Sequence, residues 1–383
     1  MNATSSKKSP LVWAVHISVA VLVALWLFPT VGLFVSSFRT ADQIATSGWW
    51  AALFTQEQNM VLRTADPSDQ TREGDLFVLQ GNLFGEGATG NISAWGVSSR
   101  AIDDYAPGET APLEDGEITV QQNGDYRFQS PVELSGSRGE RVFVTASAPP
   151  EFTLANYRQV LFSGSTTDSM GKAFFNTLTV TIPATVIPIV IAAFAAYALA
   201  WMRFPGRALL IAAVVALLVV PLQLALIPLL RLHLGIGIGK GYLGVWLAHT
   251  GFGLPLAIYL LRNYMVGLPR DIIENAKVDG ATDFQIFTRI ILPLSFPALA
   301  SFAIFQFLWT WNDLLVARVF LIDATGETTV MTNQIVELLG TRGGNWEILA
   351  TAAFVSIAVP LVVFFAMQRY LVRGLLAGSV KGG

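Results

Sequence analysis

Six stretches of this chain carry no Asp, Glu, Lys or Arg: Ser9–Phe38, Ala173–Met202, Ala208–Leu230, Gly241–Leu261, Ile290–Asn312 and Ile348–Gln368. Each has at least the ~20 residues that a helix rising 1.5 Å per residue needs to cross a hydrocarbon core about 30 Å thick. A soluble α domain with six buried helices needs charged outer faces, and these windows have none. Charged residues make up only 13% of the chain and the mean hydropathy is +0.53, against about 25% charged residues in soluble domains. An all-α membrane protein with six transmembrane helices is predicted.

The basic residues beside the windows set an orientation. With a cytoplasmic N-terminus, the inner segments carry Lys7, Lys8, Arg203, Arg207, Arg262, Arg270, Lys277, Arg289, Arg369, Arg373 and Lys381, and the short outer ones only Arg231, Lys240, Arg318 and Arg342. This satisfies the positive-inside rule and puts both termini in the cytoplasm. The first apolar run is too long for a cleaved signal and reads as an uncleaved anchor.

Residues 39–172 hold 18 acidic and 9 basic side chains, whereas the remainder is net basic. A loop of that length implies an inserted domain. The expected division is 1–45, N-terminus and first helix; 46–148, an extracytoplasmic β-rich insert; 149–383, a core with five helices. Strand patterns occur at Leu76–Leu79, Ile118–Gln121, Tyr126–Gln129 and Val142–Thr145, and Asn123-Gly124 supplies a tight hairpin turn. Gly81–Asn91 and Asp103–Gly116 read as connections. Asn91-Ile92-Ser93 matches a glycosylation sequon, a pattern short enough to arise by accident.

Catalytic chemistry is absent from the pattern. There is no cysteine, and His16, His233 and His249 lie in separate segments without metal-ligand spacing. Gly239-Lys240 lacks both the glycine five positions earlier and the Ser or Thr that a phosphate loop requires. Neither an enzyme, a metal centre nor a nucleic-acid partner is expected. Asp313 and Arg318, at the end of the fifth window, are either an element of an ion pathway or a polar pair facing a cavity or interface. Seven prolines, Pro183, Pro188, Pro221, Pro228, Pro255, Pro297 and Pro360, fall within the spans, where neighbouring helices can satisfy the freed carbonyls.

The segment between the fourth and fifth windows, Asn263–Arg289, carries the most specific pattern. Pro269 suits a first helical turn, Asp271 and Glu274 place negative charge near the helix N-terminus, and Gly280 interrupts the helix. Thr282-Asp283-Phe284-Gln285 has the form of a capping box that restarts it. Ile273, Ala276, Gly280, Phe284, Phe287 and Ile291 recur at helical spacing, which predicts an amphipathic helix–turn–helix with one apolar face.

Glu274-Asn275-Ala276, Gly280 and Ile290-Ile291-Leu292-Pro293 resemble the EAA loop of ABC-importer permeases, placed here at 263–293, with Asn275 standing where that family usually has alanine. Leu268-Pro269-Arg270-Asp271 and Asp279-Gly280-Ala281 are similar to its carbohydrate branch. So are Phe152–Tyr157, Arg203–Arg207, Trp311-Asn312-Asp313 and Arg373–Gly382. An insert after the first span resembles that of α-glucoside permeases within the maltose-type group.

The resemblance implies a type I importer half-pore in a bacterial inner membrane, completed by a second permease. Two ATPase subunits, which hold ATP and Mg, would dock inside, and an extracytoplasmic binding protein would deliver a carbohydrate. No cofactor would be bound by this chain. Glu274, Ala276, Asp279, Gly280, Ile290, Leu292 and Pro293 would couple it to the ATPase, and the tail Gly378, Ser379, Val380, Lys381 and Gly382 would extend toward the ATPase dimer. Trp311, Asn312 and Asp313 form a candidate substrate path, since aromatic faces and polar side chains recognise sugars, against a competing reading as helix packing and interfacial anchoring. Two other functions make distinct demands: an ion-coupled carrier would rely on Asp313, and a membrane-anchored binding subunit would act through residues 46–148. Neither requires the EAA spacing.

Overall fold

The computed structural model describes residues 10–85, 90–136, 138–148, 152–162, 169–322, 325–341 and 344–379. The chain divides into two units, Met1–Asn156 with Asn345–Glu347, and Tyr157–Gly344 with Ile348–Gly383.

The first unit opens with helix α1 (Pro10–Ser36), 27 residues of which Gly32 alone is buried. A capped turn, α2 (Ala41–Thr46), and a 3-10 turn at Trp49–Ala51 lead into the strands. These are β1 (Gln56–Arg63), β2 (Thr71–Glu73), β3 (Leu76–Asn82), β4 (Asn91–Gly96), β5 (Thr110–Leu113), β6 (Gly116–Val120), β7 (Asp125–Ser130) and β8 (Arg141–Ala148). They form two antiparallel sheets, ordered β1-β8-β4 and β2-β3-β7-β6-β5. Alternate side chains point to one face, and Leu79, Ile92, Trp95, Ile118, Phe128, Val142 and Val144 from both sheets fill a shared core.

All four expected strand segments lie in β3, β6, β7 and β8, with β6 ending one residue earlier, at Val120. The β6–β7 turn is closed by Gly124 N–H to the Gln121 carbonyl at 2.9 Å, with Gly124 at φ +89°. Two expected connections contribute strand residues. β3 runs through Asn82, and β5 lies inside Asp103–Gly116, where Pro112 and a lone buried pair, Ala111 and Leu113, hid the alternation. Asn91 opens β4, and Ile92 of the sequon is buried in the core.

The second unit is helical, α3 and α14 each beginning with two residues of the first: α3 (Ala155–Phe162), α4 (Met170–Trp201), α5 (Arg207–Leu217), α6 (Leu222–Gly235), α7 (Tyr242–Val266), α8 (Arg270–Val278), α9 (Asp283–Ile286), α10 (Leu292–Leu294), α11 (Phe296–Trp311), α12 (Leu315–Phe320), α13 (Met331–Thr341) and α14 (Trp346–Ser379). The α4–α7 pair is its spine. Ala192, Ala193 and Ala196 of α4 share a core with Ala257 and Leu261 of α7 and Ala298 and Phe302 of α11, and such small residues let helices approach closely where lipid offers no hydrophobic driving force.

Among the described residues, four helices, α1, α4, α7 and α14, are each long and apolar enough to cross a membrane; the count becomes six if two bent pairs are each one span. The third window is not one straight helix. α5 and α6 meet at 111°, because Pro221 has no N–H to continue the ladder and the chain tightens into i→i−3 bonds from Leu218, Val219 and Val220. The fifth window also bends. A π turn at Phe287–Ile291 and α10 precede Ser295, after which α11 departs at 69° to the preceding helix. Pro293 and Pro297 bracket the bend, and neither has an N–H to continue the ladder across it.

Candidate functional site

Helix α8 carries Asp271 in its first turn and Lys277 in its last, matching the helix dipole. It ends in a Schellman turn: Ala281 N–H reaches the Ala276 carbonyl at 3.0 Å and Gly280 N–H the Lys277 carbonyl at 3.1 Å. Gly280 sits at φ +81°, in the left-handed region that a side chain disfavours. Thr282 then starts α9 with a reciprocal capping box, its Oγ1 accepting from Gln285 N–H at 3.3 Å and its N–H donating to Gln285 Oε1 at 2.9 Å.

This helix–turn–helix is fastened to the bundle. Ile273, Ile286, Phe287 and Ile291 are buried in the core that includes Tyr197 of α4 and Leu261 and Met265 of α7. The Phe287 ring lies 4.7 Å from that of Phe194 and 5.2 Å from that of Tyr197, and Tyr264 donates to the Leu294 carbonyl at 3.1 Å. Ile290 and Leu292 are half-buried beside this core, and Pro293 is exposed. Glu274, Asp279 and Gly280 are exposed and Ala276 is half-buried.

The single apolar face expected from the spacing is split. Ile273, Phe287 and Ile291 face the bundle, but Phe284 is 65% exposed, because the Schellman turn reverses the chain and breaks the helical phase. Val278, which the spacing did not single out, is 87% exposed beside Gly280. An apolar side chain at the end of an otherwise polar helix surface was its only signal. Beside this turn, a cavity of about 620 Å³ is lined by Arg203, Arg207, Arg270, Lys277, Glu274 and Asp283 among others. Lys277 Nζ lies 3.5 Å from Asp283 Oδ1, and Arg207 donates to the Ala200 and Met202 carbonyls at the end of α4.

The candidate substrate path is placed differently from one residue to the next. Trp311 is fully buried, stacked on Phe307 at 5.5 Å, with Phe174 edge-on at 5.9 Å, and its Nε1 donates to the Ser356 carbonyl at 2.9 Å. Its faces are occupied by helix packing. Asn312 is exposed and donates to the Leu308 carbonyl one turn back. The Asp313 carboxylate accepts the Ala317 N–H at 3.0 Å and, more weakly, the Val316 N–H at 3.4 Å. Arg318 donates to Asn333 Oδ1 at 2.8 Å, and no ion pair joins it to Asp313 among the described residues.

What the sequence did not reveal is a buried polar cluster around these residues. Gln306 of α11 donates to the Ala184 carbonyl of α4 at 3.1 Å and lies 3.5 Å from the His249 carbonyl of α7. Thr181 and Thr185 of α4 and Thr250 of α7 are also buried, their hydroxyls unpaired among the described residues. An amide midway along the uncharged window Ile290–Asn312 was its only sequence mark. Gly378 and Ser379 belong to the backbone of α14, where an extended tail was expected, in line with the helix-forming Leu375-Leu376-Ala377 before them; Val380, Lys381 and Gly382 lie outside the described residues.

Residues 140–376 match the family of binding-protein-dependent transport system inner membrane components. The chain is 62% identical, over 99% of its length and 99% of theirs, to the alpha-glucoside transport system permease protein AglG of Rhizobium meliloti. It is 42% identical to the osmoprotective compounds uptake permease protein GgtD of Synechocystis sp., over 96% of this chain and 91% of that one. It is also 36% identical to the trehalose transport system permease protein SugB of Mycobacterium tuberculosis, over 61% of this chain and 84% of that one. With a family match across well over half its length and a relative aligned end to end, the chain belongs to the family of binding-protein-dependent transport system inner membrane components.

Proposed function

We propose that this chain is a permease subunit of an ATP-driven carbohydrate importer, with α-glucosides or maltose-like sugars as substrate. The observation that carries the reading is the 62% identity, end to end, to an alpha-glucoside permease. In this reading the chain crosses the inner membrane six times, each bent pair being one span, with both termini in the cytoplasm. Residues 46–148 form an extracytoplasmic insert. A second permease completes the pore, an extracytoplasmic binding protein delivers the sugar, and a pair of ATPase subunits binds inside and holds ATP and Mg.

The helix–turn–helix 263–293 is the coupling element. Val278, Gly280 and Phe284 present its exposed tip to the ATPase, with Glu274, Ala276 and Asp279 on the adjoining surface. Ile273, Ile286 and Phe287 clamp its other side to α4 and α7. Because packed cores transmit displacement rather than absorb it, movement of the tip on ATP binding carries α4 and α7 with it and changes the access of the pore. The chain itself performs no covalent chemistry on the sugar.

The test is affinity purification of the detergent-solubilised chain from its native membrane with mass spectrometry of what co-purifies, followed by ATPase assays with α-glucosides. A second permease, an ATP-hydrolysing subunit and stimulation by an α-glucoside are expected, and Glu274→Lys abolishes recovery of the ATPase. Recovery of the chain alone, competent for ion-dependent uptake in liposomes, overturns the reading in favour of a secondary carrier. Stimulation by osmoprotective solutes and not by α-glucosides overturns the substrate assignment alone.

A further inference from the structure

The segment that follows α1 does not run straight from the membrane into the sheets. After Ser36 the chain turns through α2 and comes back along α1, where the Trp49 ring sits 4.7 Å from that of Phe28 and the Trp50 ring 6.3 Å from it. Gly32 makes this return possible: a β-carbon there would lie 2.7 Å from Trp49 Nε1. The return is held rigidly. Arg39, 3% exposed, donates to the Gln43 carbonyl at 2.6 Å and to the Ser47 carbonyl at 3.0 Å, while Asn156 donates to the Ser37 and Arg39 carbonyls at 3.0 and 2.8 Å.

What this clamp presents is wholly apolar. Trp50-Ala51-Ala52-Leu53-Phe54 has no polar side chain apart from the indole N–H, and Trp50, Leu53 and Phe54 are 65%, 75% and 66% exposed. The surface is continuous with the apolar flank of α1, on which Phe28 and Val31 are also exposed. Depth follows from helix length. The 27 residues of α1 span about 40 Å at 1.5 Å per residue, roughly 10 Å more than a hydrocarbon core of about 30 Å. Phe28 lies about 12 Å and Gly32 about 6 Å short of the Ser36 end, so the returning indoles fall where hydrocarbon gives way to headgroups. Tryptophan and other amphipathic aromatics are enriched at that level.

We infer that Trp50, Leu53 and Phe54 form an interfacial anchor that inserts into the lipid at the Ser36 end of α1, and so fix the height at which β1, which starts at Gln56, leaves the bilayer surface. The occupant is the lipid boundary of that leaflet. The inference does not depend on what is transported or on which side of the membrane the Ser36 end lies.

The chain contains no cysteine, so single sites can be spin-labelled in the whole complex, with the wild-type chain supplying the background. Leu53→Cys is labelled in transporter reconstituted into phosphatidylcholine vesicles. Its collision rates with oxygen and with a water-soluble nickel chelate are compared with those of Ser93→Cys, exposed on β4, and Val21→Cys, midway along α1; Phe54→Cys is the second variant should Leu53→Cys fail to assemble. The expected result is an oxygen-to-nickel collision ratio at Leu53 several-fold above that at Ser93 and below that at Val21. A ratio equal to that at Ser93 would place the segment in water, and a label closed to both reagents would place it under another subunit. Either result overturns the inference.

Discussion

His249 Nε2 lies 3.7 Å from Asp313 Oδ2, with both side chains buried. The same carboxylate caps α12 through the Ala317 and Val316 amides, and the Asp313 carbonyl accepts from Thr332 Oγ1 at 2.7 Å. Asp313 therefore ties α7, α12 and α13 together. That role does not require its charge to travel. Asp313→Asn, which keeps an acceptor for the cap, is expected to retain sugar uptake, whereas Asp313→Ala loses the cap at a cost of about 1 kcal/mol and leaves His249 without its neighbour. Thermal unfolding of the solubilised complex and uptake in proteoliposomes check both. An ion-coupled carrier predicts loss of uptake with Asp313→Asn in a stably assembled protein.

Trp311 gives the second prediction. Its indole satisfies the Ser356 carbonyl and its ring faces are taken up by Phe307 and Phe174. Trp311→Phe fills most of the same space but orphans a buried carbonyl, a loss of about 1–3 kcal/mol. A lower midpoint of thermal unfolding is expected, with the half-saturating sugar concentration for uptake unchanged. A change in that concentration at unchanged stability would assign Trp311 to the substrate path instead.

The same residues show which parts of the molecule were legible in the sequence. Uncharged windows locate the apolar helices because charge exclusion is a local property, but they cannot report bends. The 111° turn before Pro221 and the 69° turn at Ser295 come from prolines whose effect depends on neighbouring helices. In the sheets, strands with regular alternation were readable, as in β7 with Tyr126 and Phe128 buried. β1 was not, since only Met60 and Leu62 mark its inner face among polar residues. At the turn between α8 and α9, Gly280 and the Thr282 capping box follow from local chemistry, whereas the orientation of Phe284 depends on how the Schellman turn redirects the chain. The meeting of His249, Gln306 and Asp313 is tertiary, and no spacing encodes it.

The insert should show a pH signature. Tyr126 OH accepts from the Ala65 amide at 2.6 Å. Burial pushes its phenol above the ordinary value near 10, the Ala65 hydrogen bond partly offsets this, and Asp69 adds to the rise. A raised folded-state pKa means that the stabilisation is fully present below pH about 10 and is lost as pH climbs through the folded value. Limited proteolysis of the full chain, with peptides from residues 56–148 followed by mass spectrometry, should therefore show cleavage rising above pH about 10. Tyr126→Phe should raise cleavage at neutral pH, because Ala65 loses its partner, and flatten the alkaline step. An alkaline step that survives Tyr126→Phe unchanged would assign it to another group.

The turn between α8 and α9 separates conformational strain from contact. Nothing lies within 4 Å of a β-carbon built on Gly280, yet its φ is +81°, so Gly280→Ala should cost about 1–2 kcal/mol through the left-handed backbone alone. Val278 is 87% exposed, so Val278→Ala should leave folding untouched and remove only surface offered to a partner. If the tip of the helix–turn–helix seats on the ATPase, Val278→Ala and Phe284→Ala should each weaken recovery of the ATPase with the purified chain without lowering the unfolding midpoint. Gly280→Ala should lower both. Because Ile273 and Phe287 remain packed against α4 and α7 in all three variants, the pore itself stays folded, and a loss of sugar-stimulated ATP hydrolysis then reports on coupling. Unchanged recovery and unchanged stimulation with both Val278→Ala and Phe284→Ala would move the docking surface away from this tip, toward Glu274 and the basic cavity beside it.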